Sequence, residues 1–548
     1  MISLLSRKTN TSDRSSTPAR DACDAIIVGG GHNGLVCAAI LAKSGLKVTV
    51  LEALERLGGM ATGDEIGQGV RVSTCAHLLY AFDEKLVKNL KLHKYGLHFA
   101  QTRLSTIAPD GEGHAVHLHS DTWKTQADLQ VFSQADAAAY PDFLAKMQTH
   151  GLALHALMDG GSSHGPLNDV AKIERFIELG QTLSGQDRSE FLRLLVSSAG
   201  DILDETFETE LLKGALAFDS VLGLNTGPRS MNSMAYLLYR HGERAASKQG
   251  SMAIVAGTMH SLAQALGDAA RAHGASVRTG ARVVRIIVKK GKVCGVELED
   301  GARVLAPLVM SNADPKSTYL KLVGIEHLDT EFCIGLKALR SEGVTAKMNL
   351  VLNGLPSFRG LTQEELTSRI VICPSVDFAE RAFNPVKYKS FSHDPIYEII
   401  FPSLHDAALS SDNRHVLSAN VQYVPYAVEG GWPTRRTELV EQLVSALSYF
   451  APDIRDRIIS GHVLTPLEIE YEYGCVGGHW HHADFALDQL GFLRPTMGGG
   501  AWGAPIAGLY LCGAGGSVGG LRGRAGFLAA ERALADLRAS RKRGSRVK

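Results

Sequence analysis

Apolar residues near the start of the chain follow two spacings that predict a strand, a helix and a second strand. An apolar run over Ala25–Val28 predicts a buried strand, and apolar residues at helical spacing follow over 35–44. Another apolar run over 47–51 predicts the next strand. This succession of elements, completed within about 30 residues, is typical of a βαβ unit with parallel strands.

The turn between the first strand and the helix has the glycine spacing of a dinucleotide-binding fingerprint, at Gly29, Gly31 and Gly34. Gly29 permits a tight turn, Gly31 lets a pyrophosphate approach the backbone, and Gly34 lets the helix pack closely on the strand. Glu52 ends the second strand, where a carboxylate can accept hydrogen bonds from a ribose. This context favours a dinucleotide site over a glycine-rich turn in an unrelated α/β protein.

The following part of the chain, from Met60 to Arg240, reads as loops and helices. The helices predicted there are 137–147, 172–183, 189–198 and 208–216. Such a helical block after a first βαβ unit suits an inserted substrate domain, and the spacing alone would equally suit a structural cap.

From Gly250 onwards the pattern of the opening stretch returns. A helix over 257–273 leads into a strand over 275–278 and then into a three-stranded meander with a hairpin signal at Asp300-Gly301. The meander strands and the next strand are predicted over 281–288, 293–299, 302–305 and 308–311. A nucleotide-binding domain therefore resumes here, and the mixed elements over 316–463, with strands at 396–401 and 416–424 and a helix at 435–450, continue the substrate domain.

The end of the chain repeats the order of strand, glycine turn and helix. Gly508 begins a predicted strand, a glycine-containing turn follows over 519–523, and a helix is predicted over 526–537. The literal GxGxxG over 498–503 lies between Pro495 and Pro505 without a flanking strand or helix, so it is rejected as a dinucleotide site. No second fingerprint argues for a separate NAD(P)H domain.

Composition and charge exclude several classes of partner. Lys plus Arg and Asp plus Glu both total 57, so no overall field favours nucleic acid. The eight cysteines include no CxxC pair, which indicates free thiols in a reducing compartment and argues against a dithiol reductase. No run is long and apolar enough for a transmembrane helix. No metal site is predicted.

The first 20 residues are basic and rich in Ser and Thr. A disordered leader is the favoured interpretation, because the segment holds few apolar residues, and a mitochondrial presequence is the alternative. We therefore expect a cytoplasmic protein, or a mitochondrial matrix protein if the leader is a presequence.

Several motifs resemble one family of flavoproteins. The opening GGGHNGL with Glu52, Arg56, Gly58 and Gly59 is similar to the FAD fingerprint of amine oxidases and phytoene desaturases, and GLYLCGAGG near the end resembles their C-terminal flavin motif. LEDG at 298–301, VQYVPY at 421–426 and GGHWHHADFALDQLGFLRP resemble the phytoene-dehydrogenase-like branch related to mitochondrial pyridine nucleotide-disulphide oxidoreductase domain-containing proteins. The resemblance extends over residues 24–537.

This resemblance implies an FAD-dependent oxidoreductase of the carotenoid and retinoid group, with its cofactor held by residues from three parts of the chain. The residues implied are Gly29, Gly31 and Gly34 at the pyrophosphate, Glu52 at the ribose, Arg56, Gly58 and Gly59 towards the flavin, Val283 at the adenine, Gly513 and Gly515 at the pyrophosphate and ribityl chain, and Gly519 and Gly520 near the isoalloxazine. Met60 and the SVGGLRGRAG turn depart from the family pattern near the flavin.

The fold class that follows is α/β, with a discontinuous Rossmann-like FAD-binding domain of the amine oxidase and phytoene desaturase type and an inserted mixed α+β substrate domain. The predicted segments are a disordered leader (1–20), FAD-binding parts (21–75, 246–315 and 491–540), substrate-domain parts (76–245 and 316–490) and a basic tail (541–548).

The chemistry implied is hydride transfer from a C–H bond of an apolar, polyene- or lipid-like small molecule to flavin N5, followed by reoxidation by an unidentified electron acceptor. His479 and His481, with His482 beside them, are the candidate proton acceptors, because histidine takes up a proton near neutral pH. The alternative is that these histidines pack with Trp480 in a loop, and their spacing is weak evidence for zinc.

Two other functions fit the same motifs. One is an FAD-binding regulatory or partner protein with little turnover, and the other is an amine oxidase, for which no pair of aromatic residues can be assigned to an amine cage. Peripheral membrane contact through an apolar patch would suit a lipid-like substrate.

Overall fold

The computed structural model describes residues 21–67, 69–80, 82–158, 183–246, 252–410, 412–490, 493–496, 505–517 and 519–546. The predicted leader over 1–20, all but the last residue of the predicted helix over 172–183, and the rejected glycine run over 498–503 lie outside these residues.

The described strands are, in chain order, β1 (Asp21–Ala22), β2 (Ala25–Val28), β3 (Val48–Leu51), β4 (Gly63–Glu65), β5 (Arg71–Ser73), β6 (Leu79–Tyr80), β7 (Phe99–Thr102), β8 (Thr106–Pro109), β9 (Ala115–Leu118), β10 (Met252–Val255), β11 (Ser276–Arg278), β12 (Val283–Lys289), β13 (Lys292–Leu298), β14 (Arg303–Leu305), β15 (Leu308–Ser311), β16 (Thr345–Leu352), β17 (Arg369–Ile372), β18 (Ile396–Ile400), β19 (His415–Gln422), β20 (Ile458–Leu464) and β21 (Leu509–Leu511).

The described α-helices are α1 (His32–Lys43), α2 (Glu84–Asn89), α3 (Thr122–Leu129), α4 (Gln134–Met158), α5 (Gly185–Val196), α6 (Ala199–Thr206), α7 (Glu210–Val221), α8 (Ser233–Ala246), α9 (His260–Ala272), α10 (Thr330–Ala338), α11 (Val376–Phe383), α12 (Trp432–Phe450), α13 (Ile454–Arg457), α14 (Pro466–Tyr473) and α15 (Arg524–Arg546).

A five-stranded parallel sheet brings the start, the middle and the end of the chain together. Its order is β11-β3-β2-β15-β21, and every neighbouring pair is parallel. Strands β2 and β15 are buried at every position, because helices cover one face of the sheet and the meander strands β12, β13 and β14 pack on the other. This arrangement confirms the predicted α/β class and its discontinuous Rossmann-like sheet.

A second sheet of seven strands forms the base of the other half of the molecule. Its order is β20-β16-β19-β18-β17-β8-β9, antiparallel except where β17 pairs with β8. The apolar face of β16 and β19 packs against α12 in one core, with Met348, Leu350 and Leu417 fully or almost fully buried. The opposite face of the same strands is polar and faces the parallel sheet's half of the molecule.

The predicted meander is confirmed by the antiparallel pairs β12 with β13 and β13 with β14. Some element bounds differ from the prediction. Helix α1 begins at His32 and not at Leu35, because the chain turns directly from Gly31 into the helix. Helix α15 extends to Arg546, so residues 541–546 of the predicted basic tail continue a helix. The predicted domain boundaries stay a prediction.

Helices α1 and α15 pack closely because of a glycine at their crossing. A Cβ atom on Gly526 would lie 1.9 Å from the backbone oxygen of Asn33, a distance that forces the two helices apart. We expect Gly526→Ala to lower the free energy of unfolding by about 1–3 kcal/mol through overpacking. Thermal unfolding followed by circular dichroism measures the change.

Gly185→Ala is the matched control, because a Cβ atom there meets nothing within 4 Å. At the first residue of α5 it should be neutral or stabilising by up to ~1 kcal/mol. Equal unfolding midpoints for the two variants would contradict the role assigned to the α1–α15 crossing.

Candidate active site

A cavity of about 500 Å³ lies between the carboxyl ends of the parallel strands and the polar face of the seven-stranded sheet. Of the residues predicted to bind the cofactor, eight line it: Gly29, Gly31, Glu52, Gly58, Gly59, Val283, Gly519 and Gly520. They come from the beginning, the middle and the end of the chain, which the parallel sheet brings together. Their individual roles towards a cofactor stay predictions.

The glycine turn is packed around Asn312, the residue that follows β15. A Cβ atom on Gly31 would lie 2.6 Å from Asn312 Nδ2, and one on Gly34 would lie 2.3 Å from the backbone oxygen of Gly29. The backbone N–H of Asn312 donates to the oxygen of Val28 over 2.8 Å, which fixes the residue at the end of β2. Side chains at these glycines would therefore collide with protein atoms before any ligand is present.

Glu52 supports the turn as well as facing the cavity. Its carboxylate accepts hydrogen bonds from the backbone N–H of Gly30 over 2.6 Å and of Leu54 over 2.8 Å. Burial raises the pKa of Glu52, and these backbone bonds act in the opposite direction. The residue thus connects the conformation of the glycine turn to the end of β3.

Four predicted cofactor residues do not reach the cavity wall. Gly34 packs against the backbone of Gly29, and Arg56 pairs with Asp64 over 2.5 Å with its side chain about one-third exposed. Cβ atoms on Gly513 and Gly515 would lie 2.7 Å from the oxygen of Asn312 and 2.4 Å from Pro315 Cδ. These positions have a clear packing role in the structure.

His479 and His481 of the predicted motif have different surroundings. His479 is fully buried away from the wall; its Nδ1 accepts from the His481 backbone N–H, so Nε2 donates to Asp484 over 2.8 Å. His481 lines the cavity, with Nε2 3.1 Å from the Tyr236 hydroxyl and Nδ1 without a hydrogen-bond partner. Burial holds the pKa of His481 well below its usual range, so the ring is neutral.

A buried arginine holds this histidine loop against the last glycine turn. Arg494 donates to the backbone oxygens of Ala514, over 3.3 Å, and of His481. Burial lowers its pKa to about 10, so Arg494 stays charged at neutral pH. The positions of His481 and Ala514 are therefore coupled through one guanidinium group.

A polar cluster at the far end of the cavity was not predicted. Glu398 on β18 accepts from the Tyr80 hydroxyl and from Arg369 Nε, each over 2.7 Å, and Arg369 also pairs with Asp219 over 2.6 Å. Arg240 pairs with the same Asp219 over 2.9 Å. All five side chains are buried or nearly so, and their two positive and two negative charges balance.

His77 is the member of this cluster with a defined tautomer. The Ser418 hydroxyl donates to Asn349 Oδ1 over 2.6 Å, so His77 Nδ1 must carry the hydrogen that it shares with Ser418 Oγ over 3.2 Å. Asn349 Nδ2 donates to the oxygen of Ser73, which fixes the direction of this chain of bonds. Burial lowers the pKa of His77 to about 4, so Nε2 keeps its lone pair at neutral pH.

The lone pair of His77 Nε2 lies between Asn420 Nδ2, at 3.0 Å, and a Glu398 oxygen, also at 3.0 Å. His77, Glu398 and Asn420 all line the cavity. Although burial alone would raise it, the Arg369 charge holds the pKa of Glu398 well below its usual range. A neutral imidazole nitrogen that keeps its lone pair next to a carboxylate is a candidate proton acceptor.

The chain is similar to known proteins over most of its length. It matches the NAD(P)-binding Rossmann-like domain family over residues 27–90. It is 30% identical to the rat (Rattus norvegicus) pyridine nucleotide-disulfide oxidoreductase domain-containing protein 2, over 94% of this chain and 94% of that protein. The chain belongs to this family.

A more distant relative of this protein is the phytoene desaturase (neurosporene-forming) of Cereibacter sphaeroides. It is 24% identical over 91% of this chain and 92% of the desaturase. A putrescine oxidase variant shares the fold, with a TM-score of 0.61 at 16% identity over 95% of this chain and 100% of that structure. The predicted resemblance to phytoene-desaturase-like oxidoreductases is thereby confirmed. In the part of the chain that the structure describes, no helix is long and apolar enough to cross a membrane.

Sequence reasoning missed the polar cluster because its members are scattered over the chain. One signal was present: β16 and β19 alternate polar and apolar residues, as in Thr345, Lys347 and Asn349 and in Ser418, Asn420 and Gln422. Such alternation is typical of a strand with one face in water. Here the polar face is buried against the other half of the protein, and Asn420 on this face lines the cavity.

A substitution at Glu52 tests the role of this residue at the glycine turn. We expect Glu52→Ala to reduce the flavin retained after purification, because Gly30 and Leu54 lose their acceptor and a ribose would lose its partner. Flavin content per protein, read from absorbance after denaturation, measures the effect. Glu55→Ala, which removes an exposed carboxylate three residues away, is the control; equal flavin content in both variants would remove Glu52 from this role.

We expect the free energy of unfolding to depend on pH, because the buried Nζ of Lys347 has no hydrogen-bond partner. Burial lowers its pKa from 10.5 to about 7. The unfolded chain therefore binds this proton more tightly, so the free energy of unfolding rises with pH between about 7 and 10.5. At pH 7 the buried lysine lowers the free energy of unfolding by on the order of 4 kcal/mol.

We expect Lys347→Met to raise the thermal unfolding midpoint at pH 7 and to weaken its rise between pH 7 and pH 9. Lys337→Met, at an exposed position of α10, should leave the wild-type slope unchanged. A Lys347→Met variant with the wild-type slope would show that Lys347 is charged and solvated in the folded protein.

Proposed function

We propose that this protein is an FAD-dependent oxidoreductase that moves a hydride from a C–H bond of a mainly apolar, polyene- or lipid-like molecule to N5 of the flavin. The observation that carries the proposal is the single cavity that extends from the glycine turns to the polar face of the seven-stranded sheet. A cofactor bound at one end and a substrate at the other would meet away from bulk water.

Three features of the cavity wall fit FAD. Bare backbone at Gly29, Gly31 and Gly59 leaves space along one side of the cavity, and the N-terminus of α1 presents free N–H groups suited to a pyrophosphate. The Glu52 carboxylate lies where a ribose would need an acceptor. Bound flavin supplies the hydride acceptor, and the protein orients the substrate and handles the proton.

Apolar and aromatic side chains on the wall support the proposed substrate class. Five of them face the cavity between the glycine turns and the polar cluster: Leu78, Leu222, Tyr236, Tyr239 and Leu521. An apolar body would be bound here by burial of its surface. The polar cluster beyond them suits a substrate that also carries one hydrogen-bonding or acidic group.

We assign proton uptake to His77 Nε2. When a hydride leaves one atom of the substrate, the electrons of a second bond to hydrogen on the neighbouring atom form the new double bond, and that hydrogen leaves as a proton. The Nε2 lone pair accepts it, and the Glu398 oxygen 3.0 Å away stabilises the resulting imidazolium. His481 is the second candidate, because its free Nδ1 also belongs to a residue of the wall.

We further propose that the protein works in the cytoplasm on a small molecule. Its eight cysteines include no CxxC pair, which agrees with a reducing compartment. Cys75 and Cys475 line the cavity, but burial raises the pKa of both thiols, which opposes thiolate chemistry there.

Anaerobic reduction of the bound flavin tests the proposal. We expect the purified protein to be yellow and to bleach without oxygen when a metabolite extract is added, and mass spectrometry of the extract then identifies the oxidised compound. A colourless protein that FAD does not reconstitute would refute the proposal. A yellow protein that no apolar compound, alcohol or amine bleaches would support the binding or regulatory alternative, and an oxidised amine would support the amine oxidase.

Variants of His77 test the proton acceptor. With the compound found in the screen, we expect His77→Asn to slow bleaching about 10²-fold, because a general base contributes at least this much. His98→Asn, at an exposed histidine, serves as the control. Flavin content should be the same in both variants, so a lost acceptor can be distinguished from a lost cofactor.

A further inference from the structure

Two histidines lie side by side at the edge of the seven-stranded sheet, remote from the cavity. His117 is on β9, the edge strand, and His119 follows two residues later on the same side of the chain. Their ring centroids are 6.0 Å apart. Neither residue lines the cavity, so the proposed oxidoreductase activity makes no use of them.

A carboxylate completes a group of three. Asp128 on α3 places Oδ2 2.7 Å from His119 Nε2. One nitrogen of each imidazole and one Asp128 oxygen all lie within 4.8 Å of one another, the only such group of three found among the described residues. The three side chains are roughly a quarter to a half exposed, so an ion from solution can reach them.

The backbone holds these side chains in place. The His119 backbone N–H donates to Thr125 Oγ1 over 2.8 Å, and Thr125 is fully buried. This bond ties the end of β9 to the first turn of α3. Because Asp128 follows Thr125 by three residues, it lies on the same face of α3 and is held next to the His119 ring.

A second carboxylate is oriented towards the other histidine. Glu365 uses Oε2 to accept hydrogen bonds from the backbone N–H of Thr362, over 2.7 Å, and from its hydroxyl, over 2.9 Å. Its other oxygen, Oε1, is thereby left facing His117 Nε2 at 3.4 Å. Carboxylates in this position next to a metal-binding histidine fix the ring and increase its basicity.

We propose that His117, His119 and Asp128 bind a divalent transition-metal ion, of which Zn²⁺ is the best match, with Glu365 orienting His117. Two imidazoles and one carboxylate are typical zinc ligands, whereas Mg²⁺ and Ca²⁺ prefer oxygen alone. Zinc bonds of about 2.0–2.2 Å require small rotations of the three side chains. Water fills the remaining position on the exposed side.

The bound ion acts as a clip at the edge of the sheet. It joins β9 to α3, the next element along the chain, and to the distant turn at 362–365 through Glu365. An edge strand offers unpaired backbone groups to other chains, and fixing it to a helix limits that exposure. The site therefore contributes to stability, and its loss should leave flavin content unchanged.

Metal titration of the full-length protein without a histidine tag tests the proposal. After removal of metals with a chelator, we expect ZnCl₂ to bind at one equivalent in isothermal titration calorimetry and to raise the thermal unfolding midpoint. MgCl₂ should do neither. His119→Ala and the isosteric Asp128→Asn should abolish the one-equivalent step, and Glu365→Gln should weaken it about 10–100-fold.

His114→Ala is the matched control, because His114 is an exposed histidine of the same β8–β9 hairpin, paired with Asp110. It should bind Zn²⁺ like the wild type. Two results would overturn the proposal: no one-equivalent step in the wild-type protein, or a step that persists in both His119→Ala and Asp128→Asn, which indicates an adventitious ion only. Circular dichroism of the metal-free variants confirms that they fold, and their flavin content reports separately on the cofactor site.

Discussion

The structure depends on the close approach of two glycine turns to Asn312. A Cβ atom on Gly31 or on Gly513 would lie within 2.7 Å of an atom of this one residue, so both turns require bare backbone. Asn312 itself is fixed by its backbone bond to Val28. The beginning and the end of the chain therefore meet around a residue from the middle, and the parallel sheet can form only when all three segments are present.

This meeting point also determines what faces the cavity. Glu52 is bonded to the glycine turn, and Arg494 holds the His481 loop against the last turn through the oxygens of His481 and Ala514. These contacts join residues 13 to 22 positions apart in the sequence. The cavity wall near the glycine turns is therefore held in place by a few buried hydrogen bonds between neighbouring parts of the chain.

The polar cluster around Glu398 makes one end of the cavity polar, whereas much of the remaining wall is apolar. Arg369, Arg240 and Asp219 balance the charge of Glu398, and a buried charge left without such partners costs several kcal/mol. The hydrogen-bond chain from Asn349 through Ser418 places the hydrogen of His77 on Nδ1 and leaves the lone pair on Nε2. A cavity with apolar walls and this nitrogen at one end suits an oxidation in which a hydride and a proton leave the same molecule.

The zinc clip lies in a different part of the molecule, and its role is in stability and not in the chemistry of the cavity. It lies at the sheet edge, where β9 has only one neighbouring strand, and none of its residues touches the cavity. Stability at that edge and chemistry in the cavity can therefore vary independently.

The sequence by itself determined the elements whose signal is local. The strand over Ala25–Val28, the glycine turn, Glu52 and the meander follow from short-range rules of periodicity, turn formation and backbone sterics, and the motifs at both ends of the chain indicated the family. Only the tertiary structure decided which residues share the cavity. His77, Glu398 and Asn420 are brought together across more than 300 residues of chain. The alternation of polar and apolar residues in β16 and β19 could not reveal this, because periodicity reports that a face is polar and not whether water or another part of the protein covers it.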